Sequence, residues 1–155
     1  MIPWKVVKSI AVALVAGSFG GIATSSSVQT WYPTLAKPEW NPPAWVFGPV
    51  WTVLYVLMGL AAGAIWSMPE SRERNRALGL YWIQLALNVA WSFLFFGLRS
   101  PGAAFVEIVM LWAAILGTLF LFWRQKAWTG ALLVPYLAWV TFASALNFSI
   151  WQLNR

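Results

Sequence analysis

The chain has 155 residues, 61% of them hydrophobic and only 9% charged, which is too little charge to clothe a water-soluble domain when globular proteins carry about 25%. It contains no Cys and no His, so disulfides, thiolate nucleophiles, iron–sulfur ligation and the commonest metal ligand and general base are all excluded. The net charge of +6 comes from basic residues scattered at the ends of apolar runs, without the basic patch that nucleic acid would require.

These numbers suit an all-α polytopic membrane protein, folded as a single five-helix bundle over residues 1–155 whose main solvent is lipid. A hydrocarbon core about 30 Å thick takes about 20 helical residues. Apolar runs between charges predict spans at about 5–23, 45–66, 77–97, 102–123 and 128–151. They are joined by a long polar segment (24–44), a charged run (67–76) and two tight joints, LRSP and RQKA. The short joints make the last three spans antiparallel neighbours.

The first span also has the look of a secretory signal, with Lys5 and Lys8 ahead of an apolar run that ends in Gly21-Ile22-Ala23. Against this, Ala13, Gly17 and Gly21 recur every four residues and lay small side chains along one helix face, as close packing in lipid requires. Gly59 and Gly63 repeat the device in the second span. Lys5, Lys8, Arg72, Arg74, Arg76, Arg124 and Lys126 fall on one side, and Lys37, Arg99 and Arg155 on the other. The positive-inside rule therefore predicts a cytoplasmic N-terminus and an outside 24–44 loop, without saying which membrane.

The 24–44 segment combines stiff prolines with large aromatics, Trp31-Tyr32-Pro33 and Lys37-Pro38-Glu39-Trp40-Asn41-Pro42-Pro43. It reads either as an interfacial aromatic belt or as a lid ordered over the mouth of the bundle. A belt accounts for Trp4, Trp66, Trp123 and Trp128, which stand at span ends.

Within the spans, Trp51, Tyr55 and Met58 share a face of the second helix, as do Gln84, Asn88, Trp91 and Phe95 in the third. Trp139, Ala143, Leu146 and Asn147 form a stripe on the fifth. Amides in hydrocarbon need partners, so Gln84, Asn88 and Asn147 are expected to face inward, either as interhelical glue or as the polar groups of a pocket. Amides, aromatics and small residues on the same faces suit a mainly apolar pocket for a flat, large ligand that stacks on indoles. Glu107, the only acidic residue within a span, is either a functional carboxylate or one that snorkels to the interface or bonds a neighbouring helix.

The runs KPEWNPPAWVFGPVWTVLYVLMG, QLALNVAWSFLFFG and PYLAWVTFASALNF closely resemble, in order and spacing, the tryptophan-rich sensory protein / translocator protein family (TspO/MBR, the peripheral benzodiazepine receptor family). The resemblance covers about 28–151. It implies a retained first helix, a compact bundle that is commonly a homodimer, and a cavity closed by the loop between helices 1 and 2. It further implies binding of porphyrins such as protoporphyrin IX and haem, and in many members of sterols and synthetic ligands. Roles in tetrapyrrole transport, stress signalling and light-dependent porphyrin breakdown are associated with the family.

Matched position by position, the family's cavity residues fall on Trp51, Asn88, Trp91, Trp139, Ala143 and Leu146, and its lid tryptophans on Trp31 and Trp40. The animal sterol-recognition stretch requires a Tyr and an Arg where this chain has Phe148 and Gln152, which argues against tight sterol binding. The resulting expectation is a porphyrin-binding membrane protein with no obligatory cofactor, its ligand contacted by Trp31, Trp40, Trp51, Tyr55, Asn88, Trp91, Trp139, Ala143, Leu146 and Asn147. Propionates would point to the loop side, toward Lys37. Haem iron would find Tyr, Met or no ligand. No catalytic motif is present, so the enzymatic alternative reduces to photo-oxidation of a bound porphyrin. The transport alternative lacks internal repeats and has Glu107 alone as a coupling group.

Overall fold

The computed structural model describes residues 2–155. Five stretches are helical, long and apolar enough to cross a membrane: Trp4–Ser25, Ala44–Trp66, Arg72–Gly97, Pro101–Gln125 and Ala127–Leu153. The first span is helix α1 (Trp4–Ser25), and the second is α2 (Phe47–Trp66) preceded by a 3-10 turn over Ala44–Val46. The third is α3 (Arg72–Ser92), which widens into a π-turn at Phe93–Gly97, and the fourth is α4 (Pro101–Gln125). The fifth is broken into α5 (Ala127–Leu132) and α6 (Val134–Leu153).

The helix ends follow from local chemistry. The Ser71 hydroxyl accepts the Arg74 N–H at 3.0 Å, so α3 begins inside the charged run that was expected to be a loop. Charge did not stop this helix because its first turn projects beyond the apolar span. Ser100 caps α4 in the same way, with Pro101 at the first helical position, where a missing N–H costs nothing. The break at Leu133, not foreseen, has its cause in Pro135, which has no N–H to offer Ala131 and whose ring would meet that carbonyl.

The spans close into a ring. α1 lies against α2 and α3, α3 against α4, α4 against α5 and α6, and α2 completes the circuit on α5. Gly59 and Gly63 let α2 reach the backbone of α1, because a Cβ on either would fall on the main chain of Ile10 or Val6. Of the small-residue row on α1, Ala13 is wholly buried and Gly17 receives the Tyr55 ring, but Gly21 faces open space and takes no part in close packing.

The end of the bundle that carries Lys5, Arg74 and Trp66 is closely filled. Lys5 and Arg74 both donate to the Trp66 carbonyl there, and Met58, Ile65, Tyr81, Phe122, Leu133 and Val140 are completely or almost completely buried. Trp4 and Trp66 meet edge to face at 5.3 Å at this end. At the opposite end, beneath the 26–43 connection, the bundle is hollow.

Candidate ligand-binding site

The hollow is a cavity of about 520 Å³ at the loop end of the ring. That volume is in the range of small-molecule pockets, about 300–1,000 Å³. α2 contributes Trp51 and, one turn further in, Tyr55, their rings stacked at 5.8 Å. α3 contributes Asn88 and Trp91, and the π-turn sets Phe95 parallel to Trp91 at 5.1 Å. The extra residue of the π-turn carries Phe95 and Phe96 together under the loop, where their centroids lie 4.8 Å apart. α6 contributes Trp139, Ala143, Leu146 and Asn147, which share a face at helical spacing.

Rings rather than backbones bridge α2 and α6 here. Trp51 meets Tyr136 and Trp139 edge-on at 6.3 and 6.5 Å, and Phe47 meets Trp139 at 5.9 Å. Bulky aromatics thus hold the two helices apart, whereas glycines draw α2 onto α1 at the far end.

The polar groups of the cavity are fixed by a chain of hydrogen bonds. The Tyr55 hydroxyl donates to Asn88 Oδ1 at 2.5 Å, Asn88 Nδ2 donates to the Tyr136 hydroxyl at 2.8 Å, and that hydroxyl donates to Gln84 Oε1 at 2.7 Å. Gln84 Nε2 ends the chain at the Met58 sulfur, 3.8 Å away. A second, shorter chain runs from Trp91 Nε1 to Asn147 Oδ1 at 2.9 Å and from Asn147 Nδ2 to the Pro101 carbonyl at 2.8 Å. Gln84, Asn88 and Asn147 are all buried, as an amide in hydrocarbon must be. Their mutual satisfaction orients Tyr55, Asn88 and Asn147 at the wall without a ligand's help. The Trp139 indole N–H, by contrast, is buried with no acceptor among the described residues.

Of the ten residues expected to contact a ligand, Trp51, Tyr55, Asn88, Trp91, Trp139, Ala143, Leu146 and Asn147 line this one cavity. Trp31 and Trp40 do not line it. Trp31 meets Phe95 edge-on at 5.6 Å, and Trp40, half exposed, meets Phe142 at 5.7 Å. Trp31 thus fastens the connection to a buried ring of the cavity wall, and Trp40 fastens it to Phe142 of α6. Lys37 is likewise engaged elsewhere: its ammonium donates to the Tyr32 and Leu35 carbonyls at 3.0 and 2.9 Å and lies over the Tyr32 ring. Lys37, toward which propionates are expected to point, is thus held by carbonyls of its own connection.

The connection is ordered over the bundle. The Ser27 hydroxyl donates to the Phe96 carbonyl at 2.6 Å, and Ala36 exchanges two hydrogen bonds with the Asn154 side chain at 2.9 and 2.8 Å. Tyr32 is buried against Phe95 and Phe96, its hydroxyl donating to Asn41 Oδ1 at 3.0 Å, and this burial raises its phenol above the usual 10.0.

Glu107 neither snorkels nor bonds a neighbouring helix. It is 5% exposed, and neither carboxylate oxygen has a partner among the described residues. Ile108 and Leu111, which follow it on α4, do reach the cavity wall.

Sequence reasoning missed the α1 side of the cavity, formed by Gly17, Ser18, Gly21 and Thr24. The only signal was the small-residue row, which reads equally well as a packing face. It also passed over Tyr136, whose hydroxyl joins Gln84 to Asn88 from a fully buried position.

A five-span ring with an aromatic, amide-bearing cavity at one end defines a polytopic membrane protein with an enclosed, mainly apolar pocket. Residues 9–152 match the TspO/MBR family, and the chain belongs to it. It is 46% identical over 146 residues to a tryptophan-rich protein TspO of Chlorobaculum tepidum, covering 94% of this chain and 92% of that one. It is 42% identical over 138 residues to a tryptophan-rich sensory protein of Cereibacter sphaeroides, covering 87% and 85%. It is 37% identical over 156 residues to a human translocator protein, covering 99% and 92%.

Proposed function

We propose that this protein is a membrane receptor whose loop-end cavity binds a flat, largely apolar ring system of the porphyrin class, protoporphyrin IX or haem. The family and its sensory and translocator relatives support a receptor or transporter role in the membrane. The observation that carries the finer reading is the convergence of Trp51, Trp91 and Trp139, from three different helices, on one cavity. Indole faces stack on a conjugated macrocycle, and Asn88 and Asn147 offer amides already oriented by their own networks.

Anionic propionates would stay near the mouth, where water reaches, since burial of a free carboxylate in hydrocarbon is prohibitive. With no His or Cys in the chain, iron receives at most a weak protein ligand, so haem and iron-free porphyrin should bind comparably.

The test is porphyrin-induced quenching of tryptophan fluorescence in wild type, Trp51→Ala and Trp139→Ala. The expected result is saturable quenching by protoporphyrin IX that weakens about tenfold in each variant, in line with the loss of a central aromatic anchor. Unchanged affinity in both variants would overturn the reading.

A further inference from the structure

We propose that the gap between α1 and α2 at the loop end is a lateral portal, through which a ring ligand dissolved in the loop-side leaflet reaches the cavity without crossing the loop. The proposal rests on the reading of the cavity as a ring-binding site and adds the phase from which the ligand comes.

Most of the cavity wall is interior. Asn88, Ala143, Leu146 and Asn147 are buried. On the α1–α2 side the wall is different, because Ser18 and Gly21 of α1 and Gly48 and Thr52 of α2 line the cavity and are also exposed on the flank of the bundle. The cavity therefore reaches the outside between these two helices. The flank around them is apolar, with Val15, Phe19 and Ile22 on α1 and Val53 and Val56 on α2 all exposed, as suits a surface that faces hydrocarbon.

The same helix pair shows why the gap lies at this end only. A Cβ on Gly63 or Gly59 would strike the α1 backbone, and one on Gly17 would strike the Tyr55 ring. Further toward the loop, a Cβ on Gly21 or Gly48 meets nothing within 4 Å. The two helices thus diverge from backbone contact to an open slot in which Tyr55 forms the floor.

The route along the bundle axis is covered. Ser27 is bonded to Phe96, Ala36 to Asn154, and Trp40 packs on Phe142, so the 26–43 connection is held at several points across the top. The slot has no such fastening. Its hydroxyls are satisfied within their own helices, Ser18 donating to the Leu14 carbonyl at 2.9 Å and Thr52 to the Gly48 carbonyl at 2.8 Å. A polar atom left without a partner in lipid costs several kcal/mol, and this slot presents none in its side-chain donors. An apolar macrocycle concentrates in the bilayer, so the shortest path with the least desolvation is sideways through the slot.

The test uses stopped-flow tryptophan quenching, mixing ligand-free proteoliposomes with protoporphyrin IX for association and porphyrin-loaded proteoliposomes with excess empty vesicles for dissociation. Gly21→Leu combined with Gly48→Leu places side chains in the slot where there is space for them. The expected result is that association and dissociation both slow by about tenfold, because a narrowed path impedes passage in both directions whereas a damaged site speeds release. Asn154→Ala, which unfastens the loop, should leave both rates unchanged.

The chain has no Cys, so Ser18→Cys with Thr52→Cys, joined by a reducible bifunctional thiol linker, gives a second arm. Linking should slow both rates, and reduction should restore them in the same molecules. Wild-type rates in the Leu pair and in the linked pair, or acceleration by Asn154→Ala, would overturn the portal while leaving the binding reading intact. Absence of saturable quenching in wild type would overturn both.

Discussion

The two ends of the bundle are built from the same helices and differ in what stands between them. At the basic end, Gly59 and Gly63 let α2 touch the α1 backbone, and the interior is filled by Met58, Ile65, Tyr81 and Phe122. At the loop end, Phe47, Trp51 and Trp139 meet ring to ring and prop α2 away from α6. Both ends are lined mainly by apolar side chains, so apolar character alone does not decide which one is solid. Side-chain size at the helix crossings does, because glycine allows close approach while indoles meeting edge-on cannot fill the corners they create.

The largest expected effect of a single substitution comes from erasing this contrast at the solid end. Gly59→Leu should destabilise the protein by about 3 kcal/mol in detergent unfolding, since the new side chain meets main chain that has nowhere to move. Gly21→Ala, at the hollow end, should be neutral or stabilising by up to about 1 kcal/mol, because the added methyl meets open space in a helix. Equal losses at the two positions would break the comparison.

Next in size is the hydrogen-bonded layer where the two ends meet. Tyr136→Phe removes the hydroxyl that joins Gln84 to Asn88 and leaves Asn88 Nδ2 and Gln84 Oε1 without their partner, at a cost of about 2 kcal/mol. Because Asn88 is then held by Tyr55 alone, porphyrin affinity should fall together with stability. Unfolding and quenching titrations on the same preparation check both halves of that statement.

The smallest effect concerns the loop. Burial raises the Tyr32 phenol above 10.0, so between its unfolded and folded values the unfolded chain gives up the proton first. The Tyr32 contribution to stability is therefore complete at neutral pH and below 10.0, and is lost as pH rises toward the folded value. Comparing the alkaline unfolding midpoint of wild type with that of Tyr32→Phe measures it, since the variant should lose that share of the slope.

The spans were legible because lipid demands long apolar helices, and the cavity residues of α2, α3 and α6 because helical spacing collects them on single faces. Asn88 with Trp91, and Trp139 with Ala143 and Leu146, could be grouped from sequence alone on that ground. Trp31 and Trp40 could not be placed, because an irregular connection has no period from which to read a direction. Lys37 looked available until its carbonyl partners were seen, and backbone acceptors carry no sequence signature. The π-turn at Phe93–Gly97 also left no trace in the pattern, although it sets Phe95 under the loop.

The bond pair between Ala36 and Asn154 has a consequence for biosynthesis. Its partners are 118 residues apart, so this fastening, unlike the Ser27–Phe96 bond to the third span, waits for the last helix. Until α6 is in place, the nascent bundle has its loop loose on that side. The last helix to be made thus supplies the final fastening of the loop, and the cavity is fully covered only at the end of assembly.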